Sequence, residues 1–373
     1  MNILIFSWRD IKHPLAGGAE QVMHEHAKGW ISAGHNLTHF SSRFKDSAKT
    51  EVIDGINLIR GGYQYLGVQF DAFFYYLKNK EKFDLVVDEF HGIPFFTPLY
   101  VNKPKLAVIQ EVARKVWFLN ALPWPINWII GIIGYLGEPF VFLFYKNVPF
   151  MTGSLSAKND INKIGIPEKN ITVVPHGVIV NKPTSFLKKE NKFTLVYLGV
   201  LSRDKGIEDA LSCFSILRKK KNFQFWVIGR AETERYGNMI KKMIKKLKLG
   251  KKLKFWGYVT QAKKFELLSK AHVLINSSIR EGWGLVNIEA NSVKMPVIAY
   301  KSPGLVDSVV DGVSGLLCEE NTPQSLAVNV IKISKDESFY KQLTKSAQKW
   351  SSNFSWQKST KISLDILEKI GHE

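Results

Sequence analysis

The residues with the clearest chemical potential lie in SSIREGWGLVNIEANSVKMPVIAY, from Ser277 to Tyr300. This segment follows the apolar run HVLIN and ends in another, PVIAY, so it reads as strand, loop, helix and strand. Glu281 falls in the loop, where Gly282 and Gly284 let the backbone come close to a ligand. A helix starting near Leu285 would offer its first N–H groups and its positive dipole end, which suit a diphosphate. Glu289 lies about one turn into that helix. A carboxylate there can accept two hydrogen bonds from a vicinal diol such as the ribose hydroxyls. Glu281, nearer the loop mouth, can do the same for sugar hydroxyls. Either glutamate alone would read as a capping or solvated residue. The pair, with its interleaved glycines after a buried strand, points to a ligand.

Three more places carry chemistry. In LVYLGVLSRDKGIEDAL, Leu195 to Leu211, a strand ends at Gly199 and a helix opens after Gly206. Lys205 sits at the helix start, where a merely solvated lysine would oppose the dipole, so a role toward an anion is the better reading. The loop HPLAGGAEQ, His13 to Gln21, puts Gly17 and Gly18 before a helix, where backbone N–H groups can meet a phosphate. By itself a glycine pair is more often a tight turn. His91, in FDLVVDEFHGIPFF, falls just past a strand end; a lone histidine is more often structural, and Asp88 and Glu89 compete for a polar role at that edge.

These segments need a frame that delivers loops at strand ends. The chain alternates short β-branched runs with helical patterns, the signature of parallel sheets covered on both faces. Strands are expected near Ile3–Phe6, Leu37–Phe40, Leu85–Val87, Leu106–Ile109, Phe150–Thr152 and Ile171–Val174, with helices over Ala19–Ser32 and Gln64–Asn79. A polar stretch, Asn181 to Asn191, breaks the pattern as a linker would. Alternation resumes with Thr194–Leu198, Phe225–Ile228, Leu253–Trp256, Val273–Asn276 and Val297–Tyr300, and Trp356 to Ile370 reads as a closing helix. The fold class is therefore α/β: two doubly wound, Rossmann-like domains facing each other across a cleft at the C-terminal ends of their strands. The limits are 1–180 for a first domain that includes an apolar segment at about 117–145, 181–191 for the linker, 192–355 for a second domain, and 356–373 for a helix returning toward the first domain.

A chain of 373 residues suits two such domains, and 45% hydrophobic against 23% charged residues is a globular balance. Cys213 and Cys318 show no metal-ligand spacing and read as reduced thiols of an intracellular protein. MNILIFSWRD is too briefly apolar for a signal peptide and reads as a first strand. The net charge of +19 raises nucleic acid, an anionic membrane surface or an anionic small substrate as partners. Lysines concentrate at Lys219, Lys220 and Lys221 and from Lys241 to Lys254, either as a solvated helix face or as a membrane-facing patch. No nucleic-acid signature accompanies them. The run from Trp117 to Tyr145 is strongly apolar, but Pro123, Pro125, Asn127, Glu138 and Pro139 interrupt it short of the ~20 residues that a span needs. Trp117, Trp124 and Trp128 cluster near its start, as at a membrane–water boundary. It reads as a segment lying on the bilayer, with a buried core helix as the alternative. The expected location is cytoplasmic, peripheral on the inner face of the membrane.

The spacing of Glu281 and Glu289, with seven residues between them, resembles the E-x7-E motif of family 4 retaining glycosyltransferases of the GT-B fold. PVIAYKSPGLVDSVVDGVSGLL, from Pro296, is similar to that family's continuation, and the likeness extends over essentially the whole chain. It implies that Glu289 holds the donor ribose, that Glu281 contacts the donor sugar near the reacting carbon, and that the backbone of Gly284 and Leu285 supports the diphosphate. The family's loop after the first strand of the second domain supplies an arginine and a lysine to the leaving diphosphate. Lys205 matches the lysine; Val200 stands at the arginine position, with Arg203 the nearest substitute. The resemblance also brings Gly17 and Gly18 toward donor phosphate and acceptor, and His91 toward donor sugar and acceptor. VVPHGV, Val173 to Val178, resembles the family's interdomain turn, with His176 in place of asparagine.

Retaining transfer of this kind passes through an oxocarbenium-like state while negative charge grows on the diphosphate. Lys205, Arg203 and the helix tip after Gly284 would meet that charge, and neither a metal ion nor a cofactor is expected beyond the nucleotide-diphosphate sugar as co-substrate. Glu281 would position and stabilise rather than attack. The implied acceptor is lipid-linked or a cell-envelope glycan precursor. A sugar-nucleotide epimerase or hydrolase of the same shape, and a membrane-bound scaffold without catalysis, are the competing readings. A carboxylate-pair glycosidase would need neither the helix tip nor Lys205.

Overall fold

The computed structural model describes residues 1–64, 67–120, 122–178, 187–218 and 222–372. Lys219, Lys220, Lys221 and most of the Asn181–Asn191 linker lie outside them. The chain forms two units. Met1–Phe118, Trp128–Gly177 and Ser355–Glu373 make the first, and Leu119–Asn127 with Val178–Phe354 make the second.

In the first unit the strands are β1 (Asn2–Phe6), β2 (Asn36–Arg43), β3 (Thr50–Ile53), β4 (Ile56–Tyr63), β5 (Leu85–Glu89), β6 (Lys105–Val108), β7 (Phe150–Thr152) and β8 (Ile171–Val173). Its first helices are α1 (Gly18–Ser32), α2 (Val68–Asn79), α3 (Ile126–Leu143) and α4 (Leu155–Lys163). The sheet runs β3-β4-β2-β1-β5-β6-β7-β8, and only β3 is antiparallel. Strand order therefore reverses between β1 and β5, and ligands of open α/β sheets bind at such a switch point. β3 and β4 are not among the strands expected from the sequence. The signal was present in Asp54-Gly55, both at positive φ, a dipeptide that favours a hairpin turn.

The second unit carries β9 (Phe193–Leu198), β10 (Phe223–Ile228), β11 (Leu253–Gly257), β12 (Val273–Asn276), β13 (Val297–Ala299) and β14 (Gly315–Leu317). Its helices are α5 (Ile207–Leu217), α6 (Glu234–Lys246), α7 (Gln261–Lys270), α8 (Leu285–Ser292), α9 (Leu305–Ser308), α10 (Pro323–Lys335) and α11 (Glu337–Ser351). The sheet is wholly parallel, in the order β11-β10-β9-β12-β13-β14. This is the doubly wound arrangement, with its switch point between β9 and β12. Apart from the edge strand β11, the strands are largely buried on both faces, which explains continuous apolar runs such as FQFWVI and VLIN. On α6 the lysines point outward while Ile240 is buried, so this stretch is a solvated helix face in the structure.

The last helix, α12 (Trp356–His372), belongs to the first unit and packs on α1. The Trp30 indole N–H donates to Ser363 Oγ at 3.0 Å, and Ser363 Oγ lies 2.8 Å from His26 Nδ1. Burial, with His176 adding a smaller push, lowers His26 from 6.5 to about 3. Burial likewise lowers His176, which meets Gln110 Oε1 at 2.8 Å, to about 3. Both imidazoles are neutral in the fold, whereas the unfolded chain protonates them first as pH falls. The stability tied to them is complete above pH 6.5 and is lost progressively between 6.5 and about 3. We expect the urea midpoint to fall on acidification through that window, and His176→Gln to flatten the fall. A midpoint indifferent to acid would contradict the burial of neutral histidines.

The apolar run after Trp117 is helical from Ile126 to Leu143. Pro139 does not break it: α3 is one continuous helix, about 27 Å long at 1.5 Å per residue. By length and composition it could cross a membrane. Glu138 is turned into the protein, where its carboxylate accepts the backbone N–H groups of Ala113 at 2.8 Å and Arg114 at 2.9 Å. The core-helix alternative does not hold, since Ile133 is 62% and Phe140 67% exposed.

Candidate active site

In the second unit, the loops leaving β9 and β12 stand on either side of the switch point, and they are bonded to each other. The Ser277 hydroxyl donates to the Gly206 carbonyl at 2.7 Å, and the Ile279 N–H donates to the Asp204 carbonyl at 2.8 Å. From below, the buried Tyr197 hydroxyl donates to the Val200 carbonyl at 2.7 Å. This frame sets Lys205 Nζ 3.0 Å from Glu281 Oε2 and 3.6 Å from Asp204 Oδ2. Glu281 is itself fixed: Ser278 Oγ donates to its Oε1 at 2.8 Å, and its N–H donates to the Pro303 carbonyl at 3.0 Å. Two residues far apart in sequence thus meet as one charged pair.

Gly282 and Gly284 lead into α8, with Gly284 in the left-handed region at φ 88°. Leu285 is the first helical residue, and no side chain caps this end of the helix. The tip therefore keeps the anion-accepting character expected of a helix N-terminus. Beneath it runs a buried polar network. Asn276 Nδ2 donates to Asn287 Oδ1 at 2.9 Å, and Asn287 Nδ2 donates to Ser308 Oγ at 2.9 Å. These side chains, with Ser277, Ser278 and Ser302, are not among the site residues expected from the sequence. Polar residues directly after a buried apolar strand were the available signal.

Glu289 sits on the same helix, with Oε1 2.6 Å from Lys264 Nζ of α7. Arg203 is not brought to the pair: it is exposed, with Nε 4.0 Å from Glu208 Oε1. Val200, at the place of the family arginine, is exposed as well. Among the described residues, Lys205 is the cation paired with Glu281.

In the first unit, the loops after β1 and β5 likewise flank the switch point. Gly17 precedes α1 and Gly18 begins it, but the Gly17 N–H is engaged by Glu20 Oε2 at 2.7 Å. The dipole end that would draw a phosphate here holds the protein's own carboxylate. Glu20 Oε1 lies 2.6 Å from Arg9 Nε. Burial alone would raise Glu20, but Arg9, His91 and the Gly17 N–H hold it below the usual carboxylate range. His91 is thereby placed within electrostatic reach of this group. Asp88 is structural, accepting from Tyr145 Oη and Thr97 Oγ1 on Oδ2 and from the Phe95 N–H on Oδ1. Glu89 is buried, and burial together with the Glu20 charge pushes its carboxyl well above the ordinary value.

Two parallel-sheet units of this kind are the GT-B arrangement, and solved GT-B chains superpose along the full length. Sucrose-phosphate synthase of Thermosynechococcus elongatus matches with a TM-score of 0.80 at 16% identity, covering 99% of this chain and 98% of that one. WaaG, a glycosyltransferase of lipopolysaccharide biosynthesis, matches with a TM-score of 0.77 at 14% identity over 98% and 99% of the two chains. Residues 180–350 match the family model "Glycosyl transferases group 1". An uncharacterised glycosyltransferase of Methanocaldococcus jannaschii is 26% identical over 74% of this chain and 71% of its own length. The capsular polysaccharide biosynthesis glycosyltransferase CapM of Staphylococcus aureus is 27% identical over 56% of each. The two units thus have the GT-B fold, and residues 180–350 match the group 1 glycosyltransferase model.

Proposed function

We propose that the chain moves a sugar from a nucleotide-diphosphate sugar to a lipid-linked acceptor, with retention at the anomeric carbon. The observation that carries this reading is the Lys205–Glu281 pair at the switch point, beside the uncapped start of α8. The α8 N–H groups would receive the diphosphate, and Lys205 would meet the charge that grows as the anomeric C–O bond breaks. The acceptor oxygen would then bond to that carbon, and its proton would pass to a diphosphate oxygen. Glu281 would steady both the cationic sugar and Lys205. Glu289 would accept from the ribose hydroxyls, with Lys264 orienting it. Acceptor recognition would fall to the first unit, around Gly18, Arg9 and His91. The reading gives a metal ion no part. Support for the donor class comes from a structural neighbour, HepE of Anabaena, solved with UDP and glucose at a TM-score of 0.73. Support for a lipid-linked acceptor is the exposed apolar face of α3.

One observation favours a second reading. With Val200 at the arginine place and Arg203 turned toward Glu208, the leaving group would have a single cation, as a chain without catalysis would allow. The test is a binding screen of nucleoside diphosphates, followed by transfer of labelled sugar from the matching donors in the presence of EDTA. Label moving to an organic-extractable product only when lipid acceptor is added is the expected result. Release of sugar without acceptor would make the chain a hydrolase. Failure to bind any nucleoside diphosphate would leave the non-catalytic reading standing.

A further inference from the structure

The outer face of α2 is as unusual as that of α3. Phe70, Phe74 and Leu77 form a stripe at i, i+4 and i+7, with Phe70 72% and Phe74 64% exposed. The two helices cover the same side of the first sheet. Val86 packs with Val68, Ala72 and Tyr76 of α2. Asp88, two residues on and therefore on the same face, binds Tyr145 just past α3. Ala107, the register partner of Asp88, lies in one cluster with Phe142 of α3. The opposite face, with Leu85, Val87, Leu106 and Val108, is covered by α1 and α12. Rings run through the segment between the helices: Phe73 meets Phe74 at 5.3 Å and Tyr100 at 4.9 Å, and Phe96 meets Phe144 at 6.2 Å.

We infer that α2, the 93–100 segment and α3 form one continuous docking platform for an anionic bilayer. The inference rests on the lipid-facing reading of α3 and extends it to a second helix. An exposed apolar area spread over two helices and a loop marks an interaction site rather than ordinary surface. Charge selects the occupant. Lys78, Lys80 and Lys82 lie exposed at the end of α2 and Lys146 lies exposed past α3, together outnumbering the exposed Asp71 and Glu81 of the same stretch, so anionic headgroups would meet a net positive edge. The carboxylate within α3, Glu138, is already tied to the Ala113 and Arg114 N–H groups. A second copy of the chain would bring the same basic rim against itself, and like charges would oppose the contact.

The experiment uses the full chain with an environment-sensitive fluorophore on Phe74→Cys or, separately, on Ile133→Cys. The native Cys213 and Cys318 are buried, so labelling goes to the introduced thiol. Vesicles of phosphatidylcholine alone and with phosphatidylglycerol are added at low salt. Both labels are expected to brighten and shift to the blue with the anionic vesicles. Phe70→Ser combined with Phe74→Ser should weaken co-sedimentation by roughly tenfold or more, because two side chains lose apolar burial. A response at Ile133 without one at Phe74 would overturn the two-helix platform while leaving the α3 reading intact. Silence at both positions would remove both. Self-association in sedimentation velocity without vesicles, abolished by the double serine variant, would assign the face to a second copy and overturn the proposal.

Discussion

Glu281→Gln is expected to lower turnover by roughly 10²–10³-fold, while the Kd for the matching nucleoside diphosphate changes little. The substitution keeps the shape and retains an acceptor for the Ser278 hydroxyl, which lies 2.8 Å from Oε1. What it removes is the charge facing Lys205 at 3.0 Å. Both side chains are partly exposed, so the ion pair itself contributes about 1 kcal/mol or less to folding, and the melting temperature should hardly move. A large loss of rate with an unaltered fold would therefore report on the reacting centre. Lys205→Met should cost a similar factor and weaken diphosphate binding as well. Since the two groups touch, the double variant should lose far less than the product of the single losses. Full turnover in Glu281→Gln would remove this glutamate from the mechanism. Multiplying losses in the double variant would mean that the two residues act independently.

How much of this was legible in the sequence depends on whether a feature is local. The strand–loop–helix carrying Glu281, Gly284 and Glu289 could be read directly, because its signals are adjacent residues whose periodicity changes at the glycines. The frame of both sheets was readable for the same reason. What could not be read was partnership across the fold. Nothing in LSRDKG says that Lys205 rather than Arg203 reaches Glu281; the Ser277 and Ile279 bonds to the 204–206 backbone decide it. Nothing in HPLAGGAEQ says that Glu20 turns back onto Gly17. The α3 helix shows the opposite failure. Its polar residues and prolines count as interruptions of an apolar run, yet Glu138 turns inward onto two backbone N–H groups and the buried Phe142 holds the continuous helix on the unit. The stripe on α2 was in plain view at helical spacing, but spacing alone does not tell a buried face from an exposed one.

Gly206→Ala should be among the most damaging small changes outside the reacting groups. Gly206 holds φ 68°, where an L-residue costs roughly 1–2 kcal/mol. A Cβ there would also stand 2.0 Å from the Ser277 carbonyl oxygen, a backbone atom that cannot swing aside. Relief must come from moving the Lys205 loop away from the Ser277–Glu281 loop, with about 1–3 kcal/mol of overpacking added to the backbone term. A displacement on the order of 1 Å between groups that must act together is enough to lower turnover roughly 10²-fold. Gly312→Ala separates the two effects. Its φ is 71°, yet no atom lies within 4 Å of the added carbon, so it should lose stability from the backbone term and keep its turnover. Both variants are to be compared by urea denaturation and by kcat with the identified donor. Equal losses of stability with native kcat in each would show that the approach of Gly206 to Ser277 serves folding alone. A lowered kcat confined to Gly206→Ala would show that contact between the two loops holds Lys205 where the chemistry needs it.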